Sequence, residues 1–427
     1  MKEFVLHYIW QHKLFVQSCL RTTDGDSIEV IDVGKPNANA GPDFFNAKVK
    51  IGNTVWAGNV EIHTLSSDWN KHNHQHDPVY QNVILHVVKK ADVPVFLSDG
   101  ESVPQLELVY PQDIESNYET LLVSSRWVAC ADRINDVPGI YIQTWMSALL
   151  TERLEQKVAE IQTMLLKNNY HWEETFFVLL CKSFGFSVNG DAFVALAKST
   201  PWSIIQKNQN SIFQLEALLF GQSGLLEKVV ETDAYIDSLK REYAFQQQKY
   251  NLNKCNAKLW RLLRLRPDNF PYIRIAQLVS LLFTQKKLFS NIIKNPDIEI
   301  LKGLFETVEP SAYWKSHYLL GISSVVKSKR IGINSIHSIL INAVVPMVFC
   351  YASNKSNQQL KDKALAILDD LPAEKNLIMR KWIENGLNIK SASDSQALIQ
   401  LFKCYCEDKK CLRCNIGHKV LTISSNQ

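Results

Sequence analysis

The chain lacks any run of about 18 uncharged apolar residues, so no membrane span is expected. Its opening residues, MKEFVLHYIWQHKLF, include Glu3 and two histidines and lack a small-residue cleavage site, so they do not read as an export signal. No fixed repeat period is visible, which argues against a solenoid. A strong charge of one sign is also missing, since the net charge over 427 residues is +4. The 9 cysteines are odd in number. Without an export signal they are expected as reduced thiols rather than a disulfide framework, which points to a cytoplasmic protein. Charged residues make up 21% and hydrophobic residues 46%, so neither global disorder nor a shortage of core material is indicated.

What is present divides the chain in two. Residues 1–115 carry 9 Lys and Arg against 15 Asp and Glu, a balance of −6, so the remainder carries +10. Seven of the 11 histidines precede residue 90. An acidic, histidine-rich front suits a cation site, and a basic back suits a polyanion such as nucleic acid. A plain solvated surface accounts for the charge balance equally well.

The front half reads as an α+β unit. A helix is expected over 2–17, then a turn at TTDGD (22–26). Strands are expected over 27–33, 43–51 and 54–62, with GKPNANAGPD (34–43) as a loop and Gly52-Asn53 as a hairpin turn. A helix starting at Ser66 or Ser67 and strands at 83–88 and 105–110 complete it. From about residue 140 the apolar spacing becomes helical, as in TWMSALLTERLEQKVAEIQTMLLKN (144–168). The expected organisation is an α/β domain over 1–115, a linker over 116–140, a helical domain over 141–402 and a Cys-rich tail over 403–420.

Between Gly41 and His86 lie Asp43, Glu61, His63, Asp68, His72, His74, His76, Asp77 and His86. Glu61 and His63 share one face of a strand, because side chains alternate. Pairing through Gly52-Asn53 sets residue 43 near residue 62, and a small bulge would bring Asp43 beside Glu61. Two carboxylates on adjacent strands suit Mg²⁺ or Mn²⁺. His72 and His76 stand at i, i+4, a spacing used by metal ligands on a helix, and His86 on the next strand could line the same site. Imidazole ligands with a carboxylate base would instead describe a Zn²⁺ hydrolase. Scattered histidines on a surface helix are the plain alternative.

Pro42-Asp43 followed by Glu61-Ile62-His63 resembles the PD-(D/E)xK motif of the restriction-endonuclease-like superfamily, and the element order resembles that superfamily's core. The resemblance implies a metal-dependent nuclease in which Asp43, Glu61 and the backbone carbonyl of Ile62 hold Mg²⁺ or Mn²⁺. Glu3 on the opening helix would assist. His63 stands where the superfamily has lysine, a departure compatible with an acid or base, a metal ligand, or a degenerate site serving as a binding scaffold. Asp68, His72, His76, Asp77 and His86 would line the pocket. The full chain also resembles a bacterial domain-of-unknown-function family. The likeness is carried by NAGPDFFNAKV, GNVEIHTLSSDWNKHNHQHDPVYQNVILHVV, EALLFGQSG, RLRPDNFPYIRIAQL, YWKSHY, LPAEKN and the terminal CxxxxCxxCxIG.

Farther on, RLLRLRPDNFPYIR places Arg264, Arg266 and Arg274 around an Asn-Phe-Pro kink. Such residues suit contacts to nucleic acid, or an interdomain seam with Arg paired to a carboxylate. Gly in FGQSG (220–224) reads as a helix end. The tail has Cys404, Cys406, Cys411 and Cys414, with His418 nearby. The CxxC spacing favours Zn²⁺, with Cys404, His418 or the distant Cys130 as the fourth ligand, over an iron–sulfur cluster or plain buried thiols.

Overall fold

The computed structural model describes residues 3–229 and 231–423. The chain folds as two units, Met1–Ile142 with Cys404–Gln427, and Gln143–Lys403. Together they form a mixed α+β protein in which an N-terminal mixed sheet precedes a large helical region.

In the first unit, helix α1 (Glu3–Gln11) buries Val5, Leu6, Ile9 and Trp10. It is followed by strands β1 (Ile28–Asp32), β2 (Lys35–Pro36), β3 (Phe44–Ile51) and β4 (Thr54–Leu65), and then by the short helix α2 (Asp68–Lys71). Strands β5 (Val83–Lys90) and β6 (Gln105–Glu107) and helix α3 (Asp113–Val123) complete the run. The sheet order is β1-β3-β4-β5-β6, with β2 paired to β3. The pairs β1–β3 and β3–β4 are antiparallel, whereas β4–β5 and β5–β6 are parallel.

The expected hairpin forms, with Ile51 opposite Thr54 and Gly52 in the left-handed region at φ 58°. Farther from the turn the β3–β4 register shifts between Phe44 and Ala47, where Asn46 has φ 56°. That extra residue re-aims the start of β3. Part of the expected loop 34–43 is the edge strand β2, held by pairs Lys35–Phe45 and Pro36–Phe44.

Strand β4 is exposed on both faces at its beginning and buried on both farther on. Val60, Glu61, Ile62 and His63 are all buried, since this end is flanked by β3 and β5 and covered by α1. The helix expected from residue 66 stops after one turn. Asn73 takes the left-handed conformation at φ 60°, and two short 3₁₀ turns follow at His74–His76 and Pro78–Tyr80. Trp69, Tyr80, Val83, Val95 and Val103 form a small core beneath those turns. The stretch expected as a linker contains α3, and the tail helix Asn415–Thr422 packs on α3 within this same unit.

The second unit is built on helices buried nearly all round. In Pro271–Thr284, twelve consecutive residues from Pro271 to Leu282 are buried, the signature of a helix at the centre of a core. The run 333–354 is long and apolar enough to cross a membrane, and 61% of its most apolar window is buried within the protein. It contains a π turn at Leu340–Val344 just before Pro346. Proline offers no N–H to the preceding turn, and Lys157 Nζ donates instead to the Ile341 carbonyl and to Asn342 Oδ1, at 3.4 and 3.1 Å.

Candidate metal centre

The bulge in β3 brings the two motif carboxylates together. The backbone N–H of Asp43 donates to Glu61 Oε2 at 3.1 Å, and the backbone N–H of Ile62 donates to Asp43 Oδ2 at 2.9 Å. Ile62 thus meets Asp43 through its N–H, where a carbonyl contact to an ion was expected. Helix α1 adds His7, whose Nε2 lies 3.3 Å from Asp43 Oδ2 and 3.8 Å from Glu3 Oε1. Glu3, His7 and Asp43 form one group with donor atoms close enough to hold an ion.

A second group lies on the other side of Glu61. Glu61 Oε1 is 3.5 Å from His63 Nε2 and 3.3 Å from His74 Nε2, and His63 Nε2 is 3.1 Å from His72 Nδ1. Ligand atoms about 2.0–2.1 Å from one ion stand roughly 3.3–3.4 Å apart; His63, His72 and His74 form one group with donor atoms close enough to hold an ion, and Glu61 Oε1 borders two of them. His74 Nε2 is buried and has no hydrogen-bond partner, an orphaned atom of the kind a cation would satisfy. The parallel register sets Glu61 opposite His86, and His86 Nε2 meets the other nitrogen of His63, Nδ1, at 2.9 Å. His86 therefore orients a ligand ring instead of lining open space. Tyr80 stacks on His74 with centroids 3.8 Å apart and Trp69 meets its edge.

The electrostatics agree with a cation. Burial, and then the charge of Asp43, pushes Glu61 up to about 9. Burial pushes His63 down to about 2 and His86 to about 3, the neighbouring imidazoles adding to both shifts. Glu3 is raised by burial and by Asp43. Burial alone would lower His7, but its bond to Asp43 and the carboxylates around it outweigh that and hold it above the ordinary histidine value. A neutral imidazole is the form that ligates metal. A reluctant carboxylate beside imidazoles that burial keeps neutral, those of His63 and His74, lacks only positive charge.

Several expected pocket residues stand elsewhere. His76 is exposed, because Asn73 ends the helix that was to place it beneath His72; His74 takes that role. Asp68 accepts from the Leu65 N–H at 3.1 Å and pairs with Lys71 at 2.6 Å. Asp77 accepts from the Val79 N–H at 2.9 Å. Both act as caps of the turns. His7 was missed, although its i+4 spacing from Glu3 on a helix was a readable signal. In the second unit Arg264 and Arg266 are exposed. Arg274 is not available to a phosphate backbone: it is 5% exposed and bonds Gln277, Asn269 and Ser335. Its helix is central to the core, so its guanidinium is used internally.

A family model described as Protein of unknown function (DUF2851) matches residues 3–377, and the chain belongs to that family. No curated protein and no solved structure matches the chain.

Proposed function

We propose that the first unit is a metal-dependent hydrolase of phosphodiester bonds in nucleic acid. The observation that carries this reading is the position of Glu61, within 3.5 Å of His63 and His74 on one side and hydrogen-bonded to Asp43 on the other. Topology supports the substrate class. Asp43 precedes the middle strand of an antiparallel meander, Glu61 lies on the next strand, and a parallel strand follows. That order resembles the PD-(D/E)xK nucleases, and the resemblance is one of fold order and motif position alone.

His63 Nε2, His72 Nδ1, His74 Nε2 and Glu61 Oε1 would hold the ion. Imidazole donors favour Zn²⁺ or Mn²⁺ over Mg²⁺. A bound divalent ion supplies a water of lowered pKa and polarises a phosphoryl oxygen. Asp43 and Glu3 both face Nε2 of His7 and favour its protonated form, which would return a proton to the leaving oxygen. His63, kept neutral by burial, cannot supply the charge of the lysine it replaces. It serves as ligand, with His86 fixing its ring.

The test is elemental analysis after loading with Zn²⁺ or Mn²⁺, followed by a cleavage screen over single- and double-stranded DNA and RNA. One ion bound beyond any held by the cysteines, lost in His74→Ala, together with cleavage lost in His7→Ala while that ion remains, is the expected pattern. A wild-type protein whose histidine site takes up neither ion would sink the catalytic reading and leave a binding scaffold. Metal bound there without cleavage of any nucleic acid would point to a Zn²⁺ hydrolase of another substrate class.

A further inference from the structure

The end of the chain returns to the first unit and is tied down at both sides of its cysteines. Asn117 Nδ2 on α3 donates to the Leu421 carbonyl at 3.1 Å. Arg133 joins Asn117 Oδ1 at 2.8 Å to the Ile423 carbonyl at 3.3 Å. Upstream of the tail helix, Lys409 Nζ donates to the carbonyls of Leu122 and Ser124 at 2.6 and 2.9 Å. The segment 406–414 is thereby held beside the stretch that leads from α3 to Cys130.

Local turns then shape the tail. The Lys409 N–H donates to the Cys406 carbonyl at 3.1 Å, and the Cys414 N–H to the Cys411 carbonyl at 3.2 Å. Gly417 lets the tail helix lie against this second turn, since a Cβ there would stand 2.2 Å from the Cys411 carbonyl oxygen. The outcome sets four thiols within electrostatic reach of one another. Cys411 and Cys414 both act electrostatically on Cys130, and Cys130, Cys411 and Cys414 all act on Cys406. Burial, with those neighbours, pushes the Cys130 thiol up to about 12 and the Cys411 thiol up to about 11. Four cysteines from three stretches of chain, Cys414 buried and the other three half-buried, joined by no disulfide, make a donor set that a thiophilic cation satisfies.

We propose that Cys130, Cys406, Cys411 and Cys414 form a tetrathiolate metal centre, filled by Zn²⁺ or an iron–sulfur cluster, that fastens the chain end to the first unit. The ligand set differs from the one the tail spacing suggests. Cys404 stands two residues from Cys406 in one helical turn, Phe402–Cys406, so the two side chains leave it in different directions. His418 is engaged elsewhere, its Nδ1 lying 2.6 Å from the Tyr8 hydroxyl and its ring beside His12. Each ligand releases its proton to solvent when the metal enters, so affinity rises with pH.

The experiment uses the full chain, purified with and without oxygen excluded. Zinc, iron and acid-labile sulfide are quantified, and thiols are mapped by alkylation under native conditions with and without chelator. The expected result is one centre per chain, zinc alone or iron with sulfide, and protection of Cys130, Cys406, Cys411 and Cys414 that the chelator abolishes. Cys404 and Cys19 react in both cases. Cobalt substitution separates this centre from the histidine site, because only sulfur ligands give a strong thiolate-to-metal charge-transfer band. Cys130→Ser should lose that band and Cys404→Ser should keep it. Rapid alkylation of Cys130 in the metal-replete wild type overturns the proposal without recourse to a variant, as does a chain with neither metal nor sulfide at its cysteines.

Discussion

Asp43 and Glu61 fix one another through the backbone: the Asp43 N–H donates to Glu61 Oε2, and the N–H following Glu61 donates to Asp43 Oδ2. Each carboxylate is thereby aimed before any ligand arrives. The two negative groups are also forced together at a buried position, and Glu61 rises to about 9 as a result. Rigid placement of like charges is costly alone and favourable around a cation.

Glu61→Gln separates those two effects. The variant should lose affinity for Zn²⁺ or Mn²⁺ by at least 10–100-fold, roughly the range seen even when groups behind the ligands are removed. In the presence of chelator it should melt at or above the wild type, because the amide removes a carboxyl whose ionised form burial disfavours. Calorimetric metal titration and thermal melts measure both, and a metal-free variant clearly less stable than wild type would contradict the assignment.

Acid should weaken the metal-free Glu61→Gln variant from about the ordinary histidine range downward. His63 and His86 are lowered in the fold to about 2 and about 3, against 6.5 in the unfolded chain. Below 6.5 the unfolded state takes up protons that the folded state refuses, so stability falls until the folded values are reached. In the wild type Glu61, raised to about 9, and His7, raised by Asp43, work in the opposite direction and offset most of that loss. Between pH 7 and pH 5 that variant should lose about 2–4 kcal/mol and the wild type much less, read from urea midpoints with chelator present. A midpoint that does not move would show that these rings are protonated in the fold.

Gly58 sits where β4 meets β5. A Cβ there would stand 2.4 Å from Ile84 Cγ2 and 2.6 Å from the Asn82 carbonyl oxygen. Gly58→Ala should cost about 1–3 kcal/mol through overpacking. By spreading the strand pair that sets Glu61 opposite His86, it should also weaken metal binding. Denaturant melts and metal titration test the two consequences separately.

The helical unit has its own buried carboxyl. Glu216, 1% exposed, accepts from Tyr235 at 2.7 Å, Ser311 at 2.7 Å and Trp314 at 3.1 Å. Glu216→Ala strands three donors and should cost on the order of 2–5 kcal/mol, without altering metal binding by the first unit. Chemical denaturation followed by tryptophan fluorescence would show a change below 1 kcal/mol if water replaces the carboxyl freely.

Some of this molecule was decided locally and is written along the chain. Alternation and the Gly52-Asn53 turn determined the β3–β4 hairpin and set residue 43 near residue 62; the bulge at Asn46 then brought Asp43 beside Glu61. Three- and four-residue apolar spacing determined the helical region. Long-range packing decided the rest. His7 reaches Asp43 only because α1 lies against β4. His74 replaces His76 because one left-handed residue, Asn73, ends α2, and helical spacing ceases to apply beyond that point. Arg274 is interior because its helix is packed on every side. Cys130 joins the tail because the chain end folds back onto α3. Sequence spacing carries a side chain's direction only while the local conformation repeats; between separate elements, direction is set by which surfaces bury one another.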